Sequence, residues 1–464
     1  MDRTTRRLLE GRIAPTLLAL AVPNVLMLVA QVALNVLEGY FVGWLGTDAL
    51  AGVSVTFPLI MLMQTMSAGG MGGGVASAVA RALGGGRRAE ADALVAHAIV
   101  IALGLATVFT TALLVGGRAL YGAMGATAGT LDAALAYSNV IFAGAVVFWL
   151  FNTLAAVIRG AGNMRLPAVV VLGGAVTLAG LSPALIFGWG PLPHLGVRGA
   201  ALAVVAYYTV GTAIFLAYLL SGRSLVRPSL RAVRFSRALF ADILRVGGPS
   251  IVNNVQTNLT VVLLTALVGP FGSVALAGYG MGVRLEYLQI PIVFGFGSAL
   301  VTMVGTNIGA GQRDRARRVA WTGAVMAAAV TETIGLAAAL FPRAWLGLFS
   351  HDADVLAAGS AYLRIVGPVY GCFGLGLALY FASQGAGRLM WPLIASASRL
   401  VVAGAGGWVA MRVGGAGLTG LFAVMAAALV IFGGIVSGAI ALGAWGGGAS
   451  VRSTILTSRL SSTG

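Results

Sequence analysis

The feature that most constrains this chain is a succession of long apolar runs continuing from one end to the other. Twelve can be delimited, at about 14–38, 49–80, 93–116, 135–158, 166–190, 199–221, 243–267, 274–308, 319–340, 359–384, 392–412 and 417–446. Each meets or exceeds the ~17–25 residues an α-helix needs to cross a bilayer. The runs 49–80 and 274–308 exceed one crossing, so a bend or an extension into solvent is expected in them. The alternation of a lipid-facing barrel strand is missing, and only helices or closed barrels satisfy every backbone group in hydrocarbon. The expected fold is therefore an all-α polytopic membrane protein with twelve transmembrane helices. Composition agrees, since 9% of the 464 residues are charged against about 25% in soluble domains. The 68 glycines suit close approach of helix backbones.

Missing residue types exclude several chemistries. All 29 basic residues are arginine, so neither a P-loop lysine nor a Schiff-base amine is available. One cysteine, Cys372, permits no internal disulfide and no thiolate cluster. His97, His194 and His351 are far apart, and no zinc-protease or hydrolase motif occurs. No enzymatic activity, metal or cofactor is expected. The G-x-G-x-x-G at Gly415 to Gly420 lies between two apolar runs and follows no strand; it reads as a helix-end turn rather than a dinucleotide site. The first 13 residues are polar and basic, and the apolar stretch after them is too long for a signal-peptide core. No cleavable signal is expected.

Arginine placement sets the expected orientation. With the N-terminus inside, the inner segments hold 21 arginines and the outer ones only Arg118, Arg198, Arg343 and Arg412. Translocation disfavours arginine in outward loops. Both termini are therefore expected in the cytoplasm, with the chain in the cell inner membrane. The bilayer is its expected surrounding. Nucleic acid is not an expected partner, because the basic residues are spread over many short segments rather than one domain.

The chain also repeats itself once. Pro23 matches Pro249, Val42-Gly43-x-x-Gly46 matches Val268-Gly269-x-x-Gly272, and Ala49-Leu50-Ala51-Gly52 matches Ala275-Leu276-Ala277-Gly278, each 226 residues on. From there the shift is 225: Gly84 to Gly309, Ala136-Tyr137 to Ala361-Tyr362, Gly160-Ala161-Gly162 to Gly385-Ala386-Gly387, and Pro167 to Pro392. Each half holds six runs, so equivalent spans point the same way. That is the parallel-repeat arrangement of a transporter. The expected organisation is an N-lobe at 1–221, an arginine-rich linker at 222–242, a C-lobe at 243–446 and a tail at 447–464.

These residues resemble the multidrug and toxic compound extrusion (MATE) transporters. The resemblance covers about residues 14–445. It rests on Pro23 with the Phe41-Val42-Gly43-Trp44-Leu45-Gly46 turn, on Arg159-Gly160-Ala161-Gly162-Asn163, and on Gly196-Val197-Arg198-Gly199-Ala200-Ala201. The second half adds Val304 through Gly311 and Gln384-Gly385-Ala386-Gly387-Arg388. The resemblance implies two six-helix lobes forming a V around a central cavity. It also implies export of cationic amphipathic compounds against H⁺ or Na⁺ entry, and the chain is expected to work as a monomer.

An ionised side chain at mid-membrane costs about 2.5–3.5 kcal/mol, so each one needs a reason. Only Glu38, Glu286 and Glu332 lie within apolar runs. Glu38, one helical turn beyond Asn35, is either an interfacial carboxylate or a titratable group facing the lobe interior. The resemblance supports the second, since the family usually carries Asp there. Where many relatives have Asn and Asp on the fifth span stand Leu178 and Ser182, and where some have Thr on the sixth stands Val204. So poor a ligand set favours H⁺ over Na⁺ coupling. Glu286 and Arg284 are two apart and point about 200° away from each other on a helix; Arg399 and Arg364 are possible partners for Glu286. It is either half of a structural ion pair or a second coupling or substrate-contacting carboxylate. Glu332 has no nearby basic residue, and a hydrogen-bonded glutamate on an outer helix explains it as well as a functional one.

Asn253, Asn254, Gln256 and Asn258 crowd four amides into six residues. They read as interhelical hydrogen bonds or as cavity lining, with Asn254 and Asn258 on one face. Met61, Met63 and Met66 offer either ordinary packing or a soft, adaptable wall. Arg284 and Arg399 are the remaining candidates for the cavity. The leading function is a secondary antiporter for small organic cations. The alternative, a lipid-linked glycan flippase, needs a cationic cavity, and twelve rather than fourteen spans disfavour it.

Overall fold

Residues 2–189, 193–228 and 235–445 are described by a computed structural model. Most of the 222–242 segment is therefore in view, while 229–234 and the 447–464 tail lie outside the described residues. Every regular element among the described residues is helical. A short amphipathic helix, α1 (Arg3–Glu10), starts on Asp2, whose carboxylate accepts the Thr4 N–H at 2.8 Å. Eleven helices are long and apolar enough to cross a membrane: α2 (Ile13–Gly43), α3 (Thr47–Gly84), α4 (Arg88–Ala123), α6 (Arg165–Phe187), α7 (Val197–Leu220), α8 (Arg237–Phe271), α9 (Ser273–Gly309), α10 (Arg313–Leu340), α11 (Ala353–Ala386), α12 (Met390–Arg412) and α13 (Leu418–Ala441). The pair Gly129–Ala143 and Ala145–Gly160, bent by 50° at Gly144, makes the twelfth, α5. Both overlong runs are single helices. α9 stays α-helical through Pro291, whereas α3 opens into a π-helical segment at Thr65–Met71. The glycine-rich stretch from Gly415 is the turn between α12 and α13, with Gly415 at φ +57°.

The spans form two six-helix lobes, α2–α7 and α8–α13, related by a pseudo-two-fold axis. Backbone contacts at glycines reproduce the register of the sequence repeat. A Cβ on Gly52 would come within 2.7 Å of Ala133 and the Ala134 N–H, and one on Gly278 within 2.7 Å of the equivalent Gly359 N–H. Gly160 lies against the Ala76 carbonyl and Gly385 against Val301, each 2.6 Å from such a Cβ. Across the axis the contacts become reciprocal. Gly84 presses on the Thr306 carbonyl, while Gly309 presses on that of Arg81. Any side chain at these two positions would overlap the facing backbone.

Around that seam the lobes are tied at one end of the bundle, the arginine-rich end. Arg81 donates two hydrogen bonds to Asp242 across the lobes, both 2.9 Å, and Arg245 adds one at 3.1 Å. The Ser77 hydroxyl donates to the Gln384 carbonyl, and the Gln384 amide donates to the Ser250 hydroxyl at 2.7 Å and to the Gly69 carbonyl at 3.1 Å. α1 lies across the same end, with the Asn307 amide on its Leu8 carbonyl.

Candidate functional site

Helical periodicity on two N-lobe spans builds one wall of the principal cavity. On α2, Met27, Leu28, Gln31, Val32, Asn35, Glu38 and Gly39 recur at three- and four-residue spacing and face it. On α3, Leu50, Val53, Ser54, Phe57, Ile60, Met61, Gln64 and Thr65 do the same. Tyr137, Phe148, Phe151, Asn152 and Arg159 of α5, Pro167 and Val171 of α6, and Val204 and Tyr208 of α7 add to the N-lobe side. The C-lobe contributes Asn254 of α8 and Ile290, Pro291, Phe294 and Ser298 of α9. The volume is about 470 Å³, within the range of cavities that enclose drug-sized ligands. The lining is aliphatic and aromatic with a few polar groups.

Glu38 is the one acid among these lining residues and Arg159 the one base. The Tyr137 hydroxyl donates to Glu38 Oε1 at 2.6 Å. Glu38 lies near the end of α2, away from α1, while Arg159 lies on the last turn of α5 at the arginine-rich end. The cavity is therefore bipolar along its length. Among the described residues the Arg159 guanidinium has no carboxylate partner.

Of the residues singled out in the sequence, Glu38, Asn35, Asn254 and Met61 line this cavity. Asn254 also serves as an interhelical tie. The Asn254 amide donates to the carbonyl of Thr65, the first residue of the π segment, across the lobes at 2.9 Å. Gln256, Asn258, Arg284, Arg399 and Glu286 lie outside the cavity. Gln256 is two positions from Asn254 and so faces elsewhere. Asn258 is exposed, with its amide spent on the Asn254 carbonyl at 2.8 Å. Arg284 stacks on Phe349, 5.2 Å from the ring centre.

Arg399 donates to Glu286 at 3.1 Å within the C-lobe, with 10% and 14% of their side chains exposed. The Tyr362 hydroxyl stands 3.5 Å from the same carboxylate. Of the two partners weighed for Glu286, geometry selects Arg399 over Arg364. Glu332 accepts the Gly371 N–H at 2.6 Å, at the first turn of the helix resumed at Tyr370, a hydrogen-bonded position on an outer contact. Met63 is fully buried in the N-lobe core, so of the three methionines only Met61 reaches the cavity.

Sequence reasoning missed two residues here. Arg159 stands out in the sequence only as the first residue of the Arg159–Asn163 motif at the end of an apolar run. Tyr137 was visible only as a repeat anchor. A signal existed for Tyr137: it and Tyr362 are repeat mates, and each hydroxyl faces a half-buried carboxylate.

Comparison with known proteins bears on the whole chain. The MatE family profile matches residues 23–183 and again 249–409, once per lobe. An FAD transporter of Shewanella oneidensis is 26% identical over 395 residues, 85% of this chain and 87% of that protein. A probable multidrug resistance protein NorM of Deinococcus radiodurans is 29% identical over 435 residues, 90% of this chain and 92% of that one. Among solved structures, a MATE transporter in its bent conformation superposes with a TM-score of 0.85 at 25% identity, covering 96% of this chain and 98% of that chain. A MOP-superfamily transporter from Pyrococcus furiosus superposes with a TM-score of 0.84 at 24% identity, over 96% of this chain and 99% of that chain. With its two lobes each matched in the same register, the chain belongs to the MatE family of multidrug and toxic compound extrusion transporters.

Proposed function

We propose that this protein is a secondary active antiporter that exports cationic amphipathic compounds in exchange for protons, with both termini in the cytoplasm of the inner membrane. The observation that carries this reading is Glu38, a lone carboxylate in an aromatic-walled cavity of about 470 Å³. A cation enters such a cavity by pairing with that charge, and a proton competes for the same oxygen atoms. A ligand shifts a conformational equilibrium only through different affinity for the two states, and exchanging drug for proton on one carboxylate supplies that difference. Sodium is disfavoured because a bare hard cation needs several oxygen ligands. Among the described residues the hydrogen-bond partner of Glu38 is a single tyrosine hydroxyl, and the cavity-lining Val204 offers no oxygen.

Purified protein in proteoliposomes tests this directly. A fluorescent organic cation should accumulate under an imposed pH gradient and not under a sodium gradient. Transport driven only by sodium would overturn the proton reading.

A second reading is favoured by Arg159. An unpaired guanidinium among aromatic side chains suits an anionic ring compound, and the Shewanella oneidensis relative is named an FAD transporter. The same proteoliposomes decide between the two. Flavin dinucleotide transport that is lost in Arg159→Gln and kept in Glu38→Gln would favour the anionic cargo; cation transport with the opposite dependence would favour the first reading.

A further inference from the structure

A second cavity, of about 290 Å³, opens at the arginine-rich end beneath α1. Three arginines from three separate elements line it: Arg7 of α1, Arg165 at the start of α6, and Arg223 in the segment after α7. Among the described residues none of these guanidinium groups has an ion-pair or hydrogen-bond partner. The one carboxylate lining the cavity, Asp2, is occupied in capping α1 through the Thr4 N–H. Like charges gathered on one small cavity repel one another. Arg7, Arg165 and Arg223 are each exposed, so their charges are open to an ion from outside the chain, unlike that of the buried Arg81, which Asp242 neutralises. Here the counter-charge is not supplied by the described chain.

We propose that this cavity binds a phosphate-bearing anion. Guanidinium groups match phosphate oxygens in geometry and charge. The N-terminal end of α6, where Arg165 stands, adds the positive end of a helix dipole. Leu8, Leu20, Ile158 and Met164 add apolar surface to the lining. The cavity lies where α2 and α6 begin, which on the topology proposed above is the level of a lipid headgroup. A basic pocket between helix ends in that position recognises anionic headgroups, and the same chemistry takes a soluble phosphate. Because α1 touches both lobes, through Asn307 of the C-lobe and through Leu8 and Thr4 against Gly162 of the N-lobe, an anion held there pins α1 and with it the closed seam.

The test uses the full-length purified protein in detergent, read by native mass spectrometry and by thermal unfolding. The probes are phosphatidylglycerol, phosphatidylcholine and inorganic phosphate. The site variant is Arg7→Gln/Arg165→Gln/Arg223→Gln. The control, Arg88→Gln/Arg318→Gln/Arg388→Gln, removes the same charge from exposed positions away from the cavity. Each basic contact near an anionic surface is worth roughly fivefold in affinity, so the site variant should bind about 100-fold more weakly. Phosphatidylglycerol retained by wild type and control but lost by the site variant supports a lipid headgroup. Stabilisation by inorganic phosphate with the same pattern supports a soluble anion in the same cavity. Equal losses in site and control variants, or equal binding of phosphatidylglycerol and phosphatidylcholine by wild type together with no stabilisation by inorganic phosphate, overturn the proposal. If the triple variant elutes as aggregate, the single variants Arg7→Gln and Arg165→Gln carry the same comparison.

Discussion

Glu38 and Tyr137 stand ninety-nine positions apart and meet because α2 and α5 both face the N-lobe cavity. A hydrogen bond to an ionised partner contributes about 1.5–3 kcal/mol, so this contact orients the carboxylate as well as holding it. Glu38→Gln keeps the size and the hydrogen-bonding capacity of the side chain but cannot exchange a proton. It should fold, as judged by its unfolding temperature, and lose at least tenfold of its pH-driven efflux. Glu38→Asp should retain part, since the chemistry survives one methylene shorter. Efflux by Glu38→Gln at the wild-type rate under the same gradient would dismiss Glu38 as the coupling group. Tyr137→Phe should lower the pH-driven rate by about tenfold while leaving the fold intact, in line with the hydrogen bond it removes.

At this scale the sequence was legible where a residue type is expensive. A glutamate in an apolar run stands out because insertion penalises it. Tyr137 carries no such penalty, and nothing local to it records the partner. Arg159 was hidden for another reason: an arginine at the end of a run reads as an anchor whether it faces headgroups or a cavity.

At the scale of elements the apolar runs predict the spans well, because hydrophobic length is a local property. The run at 274–308 becomes Ser273–Gly309, and that at 392–412 becomes Met390–Arg412. The π segment at Thr65–Met71 was not legible, since the amide that contacts its first carbonyl is that of Asn254, 189 positions away. The glycine repeat was legible as a register but not as a cause. Its cause is that Gly84 and Gly309 face each other's partner backbones across the axis. Gly309→Ala should therefore destabilise the protein by about 1–3 kcal/mol, the usual cost of forcing a methyl into packed structure, with a lowered unfolding temperature as the readout. The Arg81–Asp242 pair makes a second demand on the same seam. Asp242→Asn strands a guanidinium whose side chain is 9% exposed. Breaking a fully buried pair costs about 3–5 kcal/mol, and the 25% exposure of Asp242 reduces that figure here. With Cys372→Ala as background, a cysteine at the buried Ala80 should react with maleimide at least tenfold faster once Asp242→Asn is added. An unchanged rate would mean that the glycine seam alone holds the lobes together.

For the molecule as a whole, two parallel six-helix repeats require the two termini to lie on the same side, whichever side that is. Arginine distribution chooses the side. The seam, α1 and the cavity beneath α1 all gather at the end that carries Arg7, Arg81, Arg165, Arg223 and Arg245. Moving this many guanidinium groups across a bilayer during insertion is far more costly than moving the few at the other end. The reading therefore puts the linker inside and the segment between α10 and α11 outside. In a Cys372→Ala background, Ser229→Cys should resist a membrane-impermeant maleimide in intact cells and react after permeabilisation. His351→Cys, exposed just before α11, should react in intact cells. The reverse pattern would place the arginine-rich end outside, and the proton-for-drug direction drawn from Glu38 would have to be reversed with it.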